Sequence, residues 1–208
     1  MRSVWKQRWW IGWYAAMQSL IGFNVYSQSM PDPGVQKVRL ITHARQSLAA
    51  FALGGFRCGE ATFAAIPGVD SVVCGYAGGI TPFPTRPEIE WGQTRHAETV
   101  LVYYQTQKIS YEALIRTFFS AQETTAVPHR DSTWAGLYRS ILFYRSKTEK
   151  KLAKAIRKSL AETKGAAWPL ETEIKLLKDF YRVDLSRWYT QYNLPSKGCF
   201  LQGAPQLK

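Results

Sequence analysis

SLAAFALGGFRCGEATF, residues 47–63, changes its pattern halfway along. SLAAFAL, residues 47–53, is a short apolar run compatible with a buried strand. After Gly54 and Gly55, the apolar positions Phe56, Ala61, Phe63, Ala64 and Ile66 suggest a helix, which Pro67 and Gly68 would end. A glycine turn from a strand into a helix is where enzymes often seat a nucleophile. Gly55 occupies the turn itself, and Cys58 comes three residues later. Three readings of Cys58 stay open: a working thiol, a core residue, or the neighbour of a nucleophile that the chain has lost.

Outward from this stretch the segments alternate in type. VDSVVCGYAGG, residues 69–79, reads as a strand running into a glycine turn, and HAETVLVYYQ, residues 96–105, is rich in strand-forming Thr, Val and Tyr. ISYEALIRTFFSAQ predicts a helix with Ser110 as N-cap, Glu112 in the first turn, and Leu114, Phe118 and Ala121 on one face. RSILFYR, residues 139–145, predicts a strand. Ser146 and Glu149 then form an S-x-x-E capping box that opens a helix reaching Gly165. ETEIKLL is another strand candidate, and LSRWYTQYNL a short terminal helix or coil. No internal repeat is visible, so the pattern predicts strands and helices mixed around one sheet in a single α/β or α+β domain.

The chain of 208 residues is long enough for one domain and extensions, and 46% hydrophobic with 20% charged residues excludes disorder for the bulk of it. A formal charge of +12 would permit contact with polyanions, but the basic residues are scattered and no nucleic-acid-binding motif occurs. The predicted helix at 147–164 carries Lys147, Lys150, Lys151, Lys154, Arg157 and Lys158, which read as a solvated face. Three cysteines, Cys58, Cys74 and Cys199, are too few for a disulfide scaffold, and no Cys/His cluster suggests zinc, so no metal is expected. Residues 1–46 are basic and contain WWIGWYAAMQSLIGF, too short and too interrupted for a stable membrane span. That segment reads as a secretory signal, an organellar transit peptide, or an extension with no targeting role, in which last case the cytoplasm is expected.

The order FALGGF, ATFAAIPGV, GYAGGITPFPTRPEI, HAETVLVYY and YRSILFY resembles the peptide methionine sulfoxide reductase A family over residues 47–192. The resemblance implies a two-layer α/β (α+β) sandwich, a ferredoxin-like mixed sheet with flanking helices. It implies a domain over 47–195, an extension at 1–46 and a tail at 196–208. In that family a thiolate attacks the sulfur of a methionine-S-sulfoxide, free or in an oxidised protein. The resulting sulfenic acid is reduced by other cysteines and by thioredoxin or another dithiol, with no bound cofactor. A thiol at a helix N-terminus has its thiolate favoured, and a carboxyl in an apolar pocket stays protonated enough to donate.

Carried over position by position, the family's G-C-F-W signature falls on Gly54, Gly55, Phe56 and Arg57. The nucleophile's place is a glycine, Phe56 keeps the aromatic that encloses the substrate methyl, and Arg57 stands where the family has tryptophan. Cys58 coincides with the second cysteine of relatives that read G-C-F-W-C. The resemblance assigns Tyr76 and Tyr138 to the sulfoxide oxygen and Glu88 to its protonation. On the residues alone, Tyr76 also reads as a core aromatic, Glu88 as a loop carboxylate, and Tyr138 as a ring buried beside a strand. The family's aspartate aligns with Thr133, and a gap would return Asp131 to the site. Cys199 resembles the family's resolving cysteines, while Cys74 reads as a buried strand residue. The expectation is a monomeric thiol-dependent reductase acting through Cys58, binding no nucleic acid. The alternative is a catalytically impaired relative that binds methionine sulfoxide without turnover.

Overall fold

The computed structural model describes residues 34–124, 137–164 and 172–185, all within the compact unit Pro31–Lys208. Among them lie seven strands: β1 (Val35–Lys37), β2 (Gln46–Leu53), β3 (Val69–Ala77), β4 (Ala97–Gln105), β5 (Ser140–Tyr144), β6 (Glu173–Leu176) and β7 (Phe180–Val183). Four helices accompany them: α1 (Phe56–Ala64), α2 (Arg86–Glu90), α3 (Tyr111–Thr124) and α4 (Lys147–Lys164). The strands form one sheet in the order β1-β7-β3-β4-β2-β5-β6, antiparallel throughout except for the parallel pair β5/β6. This is the mixed sheet with flanking helices expected of the chain.

Both faces of the sheet are covered, which is why β2 and β4 are almost continuously buried rather than alternating with solvent. Side chains at successive positions point to opposite faces. Ala49, Phe51 and Leu53 of β2 join a core with Phe56 and Phe63 of α1, Leu114 and Phe118 of α3, and Ile156 of α4. Leu48, Ala50 and Ala52 join the opposite core with Leu101, Ile141, Phe143 and Phe180. The Phe51 ring stacks on Phe63 at 4.7 Å and on Phe118 at 5.3 Å, fastening two helices to the middle of the sheet. Burial of each such ring contributes roughly 2–3 kcal/mol.

The helix boundaries follow the caps read in the sequence. The Ser110 hydroxyl accepts the Ala113 N–H at 3.1 Å, and the Ser146 hydroxyl accepts the Glu149 N–H at 3.1 Å. The Glu149 carboxylate reaches back one residue further than a standard capping box, to the Arg145 N–H at 2.6 Å. On α4, Lys147, Lys151, Lys154 and Lys158 are exposed, the last paired with Glu162. Three elements differ from the sequence reading. The ordered sheet begins before residue 47, because β1 pairs with β7; FYRV forms a strand that was not expected; and the proline-rich loop contains α2. No helix among the described residues is long and apolar enough to cross a membrane.

Candidate functional site

β2 ends at Leu53, the chain turns at Gly54 and Gly55, and α1 starts at Phe56. Both glycines have positive φ, +84° and +157°, conformations that L side chains rarely adopt. The last β2/β4 pair, Phe51 with Val100, lies two residues before Leu53 and two after Glu98, so the strand register brings Glu98 to the turn. Glu98 is 4% exposed, and its Oε2 accepts the Phe56 N–H at 2.9 Å, the first amide of α1. A Cβ built on Gly55 would stand 3.7 Å from the same oxygen, an ordinary van der Waals distance.

Tyr76 on β3 is the direct cross-strand partner of Glu98, so their side chains leave the sheet on the same face, with Cβ atoms about 5 Å apart. The Tyr76 ring is 1% exposed and lies 5.3 Å from the Phe56 ring. Tyr138 arrives through a backbone bond from the Glu98 N–H to the Leu137 carbonyl. Its own carbonyl lies 3.9 Å from a Cβ built on Gly54. Tyr76, Phe56, Glu98 and Tyr138 thus frame the turn at Gly54 and Gly55.

Burial dominates the protonation of this cluster. Desolvation raises the Glu98 carboxyl from an ordinary 4.5 to about 7, against the Phe56 N–H and the Arg86 guanidinium, which pull it down; Glu90 adds to the rise. The Tyr138 hydroxyl is pushed up to about 12 by burial and then by Glu98, so it is a donor at every physiological pH. Arg86 and Glu90 form an ion pair on α2 and act electrostatically on both groups.

Glu88, which the sequence reading made the proton donor, is engaged elsewhere. The Thr85 N–H and hydroxyl donate to its Oε2 at 2.8 and 2.7 Å, closing a capping box on α2. The buried carboxyl at the turn is Glu98. The sequence carried a signal for it: a lone acid inside the apolar run HAETVLVYY, at a position whose neighbours on both sides are core.

The remaining candidates sit as follows. Arg57 is half-buried in the first turn of α1. Cys58 is half-buried against the helix-side core and is disulfide-bonded. Cys74 is a free thiol, 4% exposed, as its strand reading expected; its Sγ lies 3.9 Å from the Phe56 carbonyl, and burial pushes its pKa far up. Asp131, Thr133 and Cys199 lie outside the described residues. Among the described residues no group of three or more His, Cys, Asp or Glu side chains gathers as a metal site. His96 is satisfied structurally, its Nε2 at 2.8 Å from the Thr81 carbonyl and its Nδ1 at 3.3 Å from the Gly79 N–H.

Comparisons with known proteins bear on the family and the fold. The family model described as peptide methionine sulfoxide reductase matches residues 47–205. Peptide methionine sulfoxide reductase MsrA of Natronomonas pharaonis is 36% identical over 159 residues, 75% of this chain and 89% of that protein. The protein of the same name from Corynebacterium kroppenstedtii is 40% identical over 129 residues, 61% of this chain and 59% of that protein. Among solved structures, methionine sulfoxide reductase A of Corynebacterium diphtheriae superposes with a TM-score of 0.65 at 24% identity, covering 78% of this chain and 81% of that one. That likeness speaks for the fold.

Proposed function

The chain belongs to the peptide methionine sulfoxide reductase family, and on that premise we propose that it reduces methionine-S-sulfoxide, free or in oxidised proteins, to methionine by thiol chemistry. The observation that carries the reading is the buried Glu98 carboxyl, held near neutrality and facing the open backbone of Gly55. In its protonated form it donates to the sulfoxide oxygen, and the Tyr76 and Tyr138 hydroxyls hydrogen-bond the same oxygen. The Phe56 ring supplies an apolar wall for the methyl group. A thiol sulfur attacks the sulfoxide sulfur, the S–O bond breaks, and the oxygen ends on the thiol as a sulfenic acid. A second thiol converts that acid to a disulfide and water. Two thiols are consumed per methionine formed, and thioredoxin or another dithiol restores them.

Cys58 is half-buried and disulfide-bonded, and a dithiol must open that bond before it carries a free thiol. Cys199 is the proposed resolving thiol, since Cys74 is sealed in the core. A second reading, sulfoxide binding without turnover, is favoured by one observation, the glycine at position 55. Residues 1–46 are proposed to include a targeting segment; with β1 starting at Val35, a removable leader would end before Gly34.

The test offers the separate S and R epimers of methionine sulfoxide with dithiothreitol and measures methionine by chromatography. Consumption of the S epimer alone supports reduction. Binding of the S epimer by calorimetry with no methionine formed moves the conclusion to the second reading, and absence of both overturns the site.

A further inference from the structure

We propose that the slot at Gly55 binds a small alkyl thiol, and that this bound thiol, not a cysteine of the chain, delivers the sulfur that attacks the sulfoxide. The proposal rests on the sulfoxide-reducing reading of the site and names its missing reactant.

Three observations lead there. First, there is room at the right place. Among the described residues, and leaving aside the adjoining Gly54 and Phe56, the only heavy atom within 4 Å of a Cβ at Gly55 is Glu98 Oε2 at 3.7 Å. A methylene standing there would lie beside the proton donor. The position is also the start of α1, where the helix dipole favours a thiolate over a thiol.

Second, Cys74 cannot serve. Only a thiolate is a useful nucleophile, and the Cys74 thiol is buried in the core with the Glu60 and Glu98 charges set against its ionisation.

Third, Cys58 is badly placed and already spent. Its sulfur is committed to a disulfide. Even when reduced, a residue three positions along the helix has its Cβ about 5–6 Å from that of the turn residue. Attack on sulfur needs reacting atoms about 3–3.5 Å apart and in line. The Gly55 backbone has meanwhile settled at φ +157° and ψ 153°, a conformation that suits glycine and leaves the slot vacant of side chain.

The chemistry balances with the thiol as co-substrate. The bound thiol, as thiolate, attacks the sulfoxide sulfur while Glu98 protonates the departing oxygen. The hydroxyl then passes to the thiol sulfur as both the new S–S bond and the old S–O bond of the methionine sulfur break, so methionine leaves as the thioether and the thiol becomes a sulfenic acid. A second thiol molecule displaces that oxygen as water and leaves the symmetrical disulfide. The proton released when the first thiol ionises returns to Glu98.

The experiment uses the full chain, pre-reduced and then freed of reductant by gel filtration, with methionine-S-sulfoxide as substrate and 2-mercaptoethanol as the thiol. Without thiol no methionine is expected; with thiol, turnover should rise and saturate. Gly55→Ala, which puts one methyl into the slot, should lower the thiol-driven rate at least tenfold in protein that circular dichroism shows to be folded, and the saturation with thiol, read on the unaltered chain, tests the proposal independently of any strain the variant adds at its positive φ. One methionine per chain from the thiol-free protein would overturn the proposal and make Cys58 the sulfur. A rate strictly linear in thiol and equal in Gly55→Ala would overturn it by showing attack from solution. Sulfoxide binding with no methionine at any thiol concentration would remove the proposal and leave a binding site; no sulfoxide binding at all would remove the underlying reading too.

Discussion

At Glu98 a single carboxyl answers to opposed effects, and the magnitudes decide the outcome. The Phe56 N–H and Arg86 favour its anion, yet near-complete burial outweighs both and holds the proton to about pH 7. That leaves it able to donate a proton up to about neutral pH. Glu98→Gln keeps the shape and removes the transferable proton, so turnover should fall by about 100-fold or more while sulfoxide binding changes little. Glu88→Ala should do the reverse: loss of the Thr85 contacts costs about 1 kcal/mol of stability, and the rate stays within a few-fold. Initial rates and urea unfolding on the two variants separate the carboxylates, and equal rate losses would return Glu88 to the chemistry. That Glu88 caps a helix while Glu98 is the carboxyl at the turn has a physical origin. Spacing along a loop does not say which way a side chain turns, whereas strand register does, and register is visible only once β3 and β4 are paired. Tyr76 and Phe56 each follow a glycine, and their buried rings lie 5.3 Å apart.

At the scale of elements, the strands with long apolar runs and the helices with caps were legible, while the short or proline-bordered pieces were not. β2, β4, α3 and α4 have lengths and periods that local patterns can carry. β7 is four residues long and owes its existence to its neighbours, pairing with β1 on one side and β3 on the other. Gly75 is what lets β7 approach: a Cβ there would stand 2.3 Å from the Tyr181 carbonyl oxygen and 2.6 Å from the Phe180 ring. Neither obstacle is the tip of a flexible chain. Gly75→Ala should therefore push β7 off the sheet and lower stability by about 3 kcal/mol, read as a drop in the urea midpoint. It should also loosen Tyr76, the next residue on β3 and the cross-strand partner of Tyr181, so sulfoxide binding should weaken with it. A midpoint within error of the unaltered protein would mean that β7 adapts freely. α2 was hidden for a different reason, since its proline sits in the first turn, where the missing N–H costs nothing.

For the whole molecule, burial of the Glu98 carboxyl ties stability to pH in a direction opposite to the usual carboxylate. A carboxyl whose folded pKa lies above its unfolded value binds more protons in the folded state between the two, so unfolding becomes easier as pH rises through that window. Here the window runs from 4.5 to about 7. Below it the favourable contribution is fully present; above it the contribution is gone, a swing of roughly 3 kcal/mol. His96 works the other way. Burial lowers its pKa, so its contribution is lost as pH falls below the ordinary histidine value, and the two partly cancel in the total. Comparing the unaltered protein with Glu98→Gln removes that ambiguity, because His96 is common to both. In urea titrations at several pH values from 4.5 to 7.5, the stability of the unaltered protein relative to the variant should decline steadily with rising pH. Parallel curves would show that Glu98 titrates in the folded state as it does in the unfolded chain, and the site would then have no proton to give at neutrality. The same group thus sets an operating limit: conditions alkaline enough to ionise it remove the acid and weaken the core that holds it.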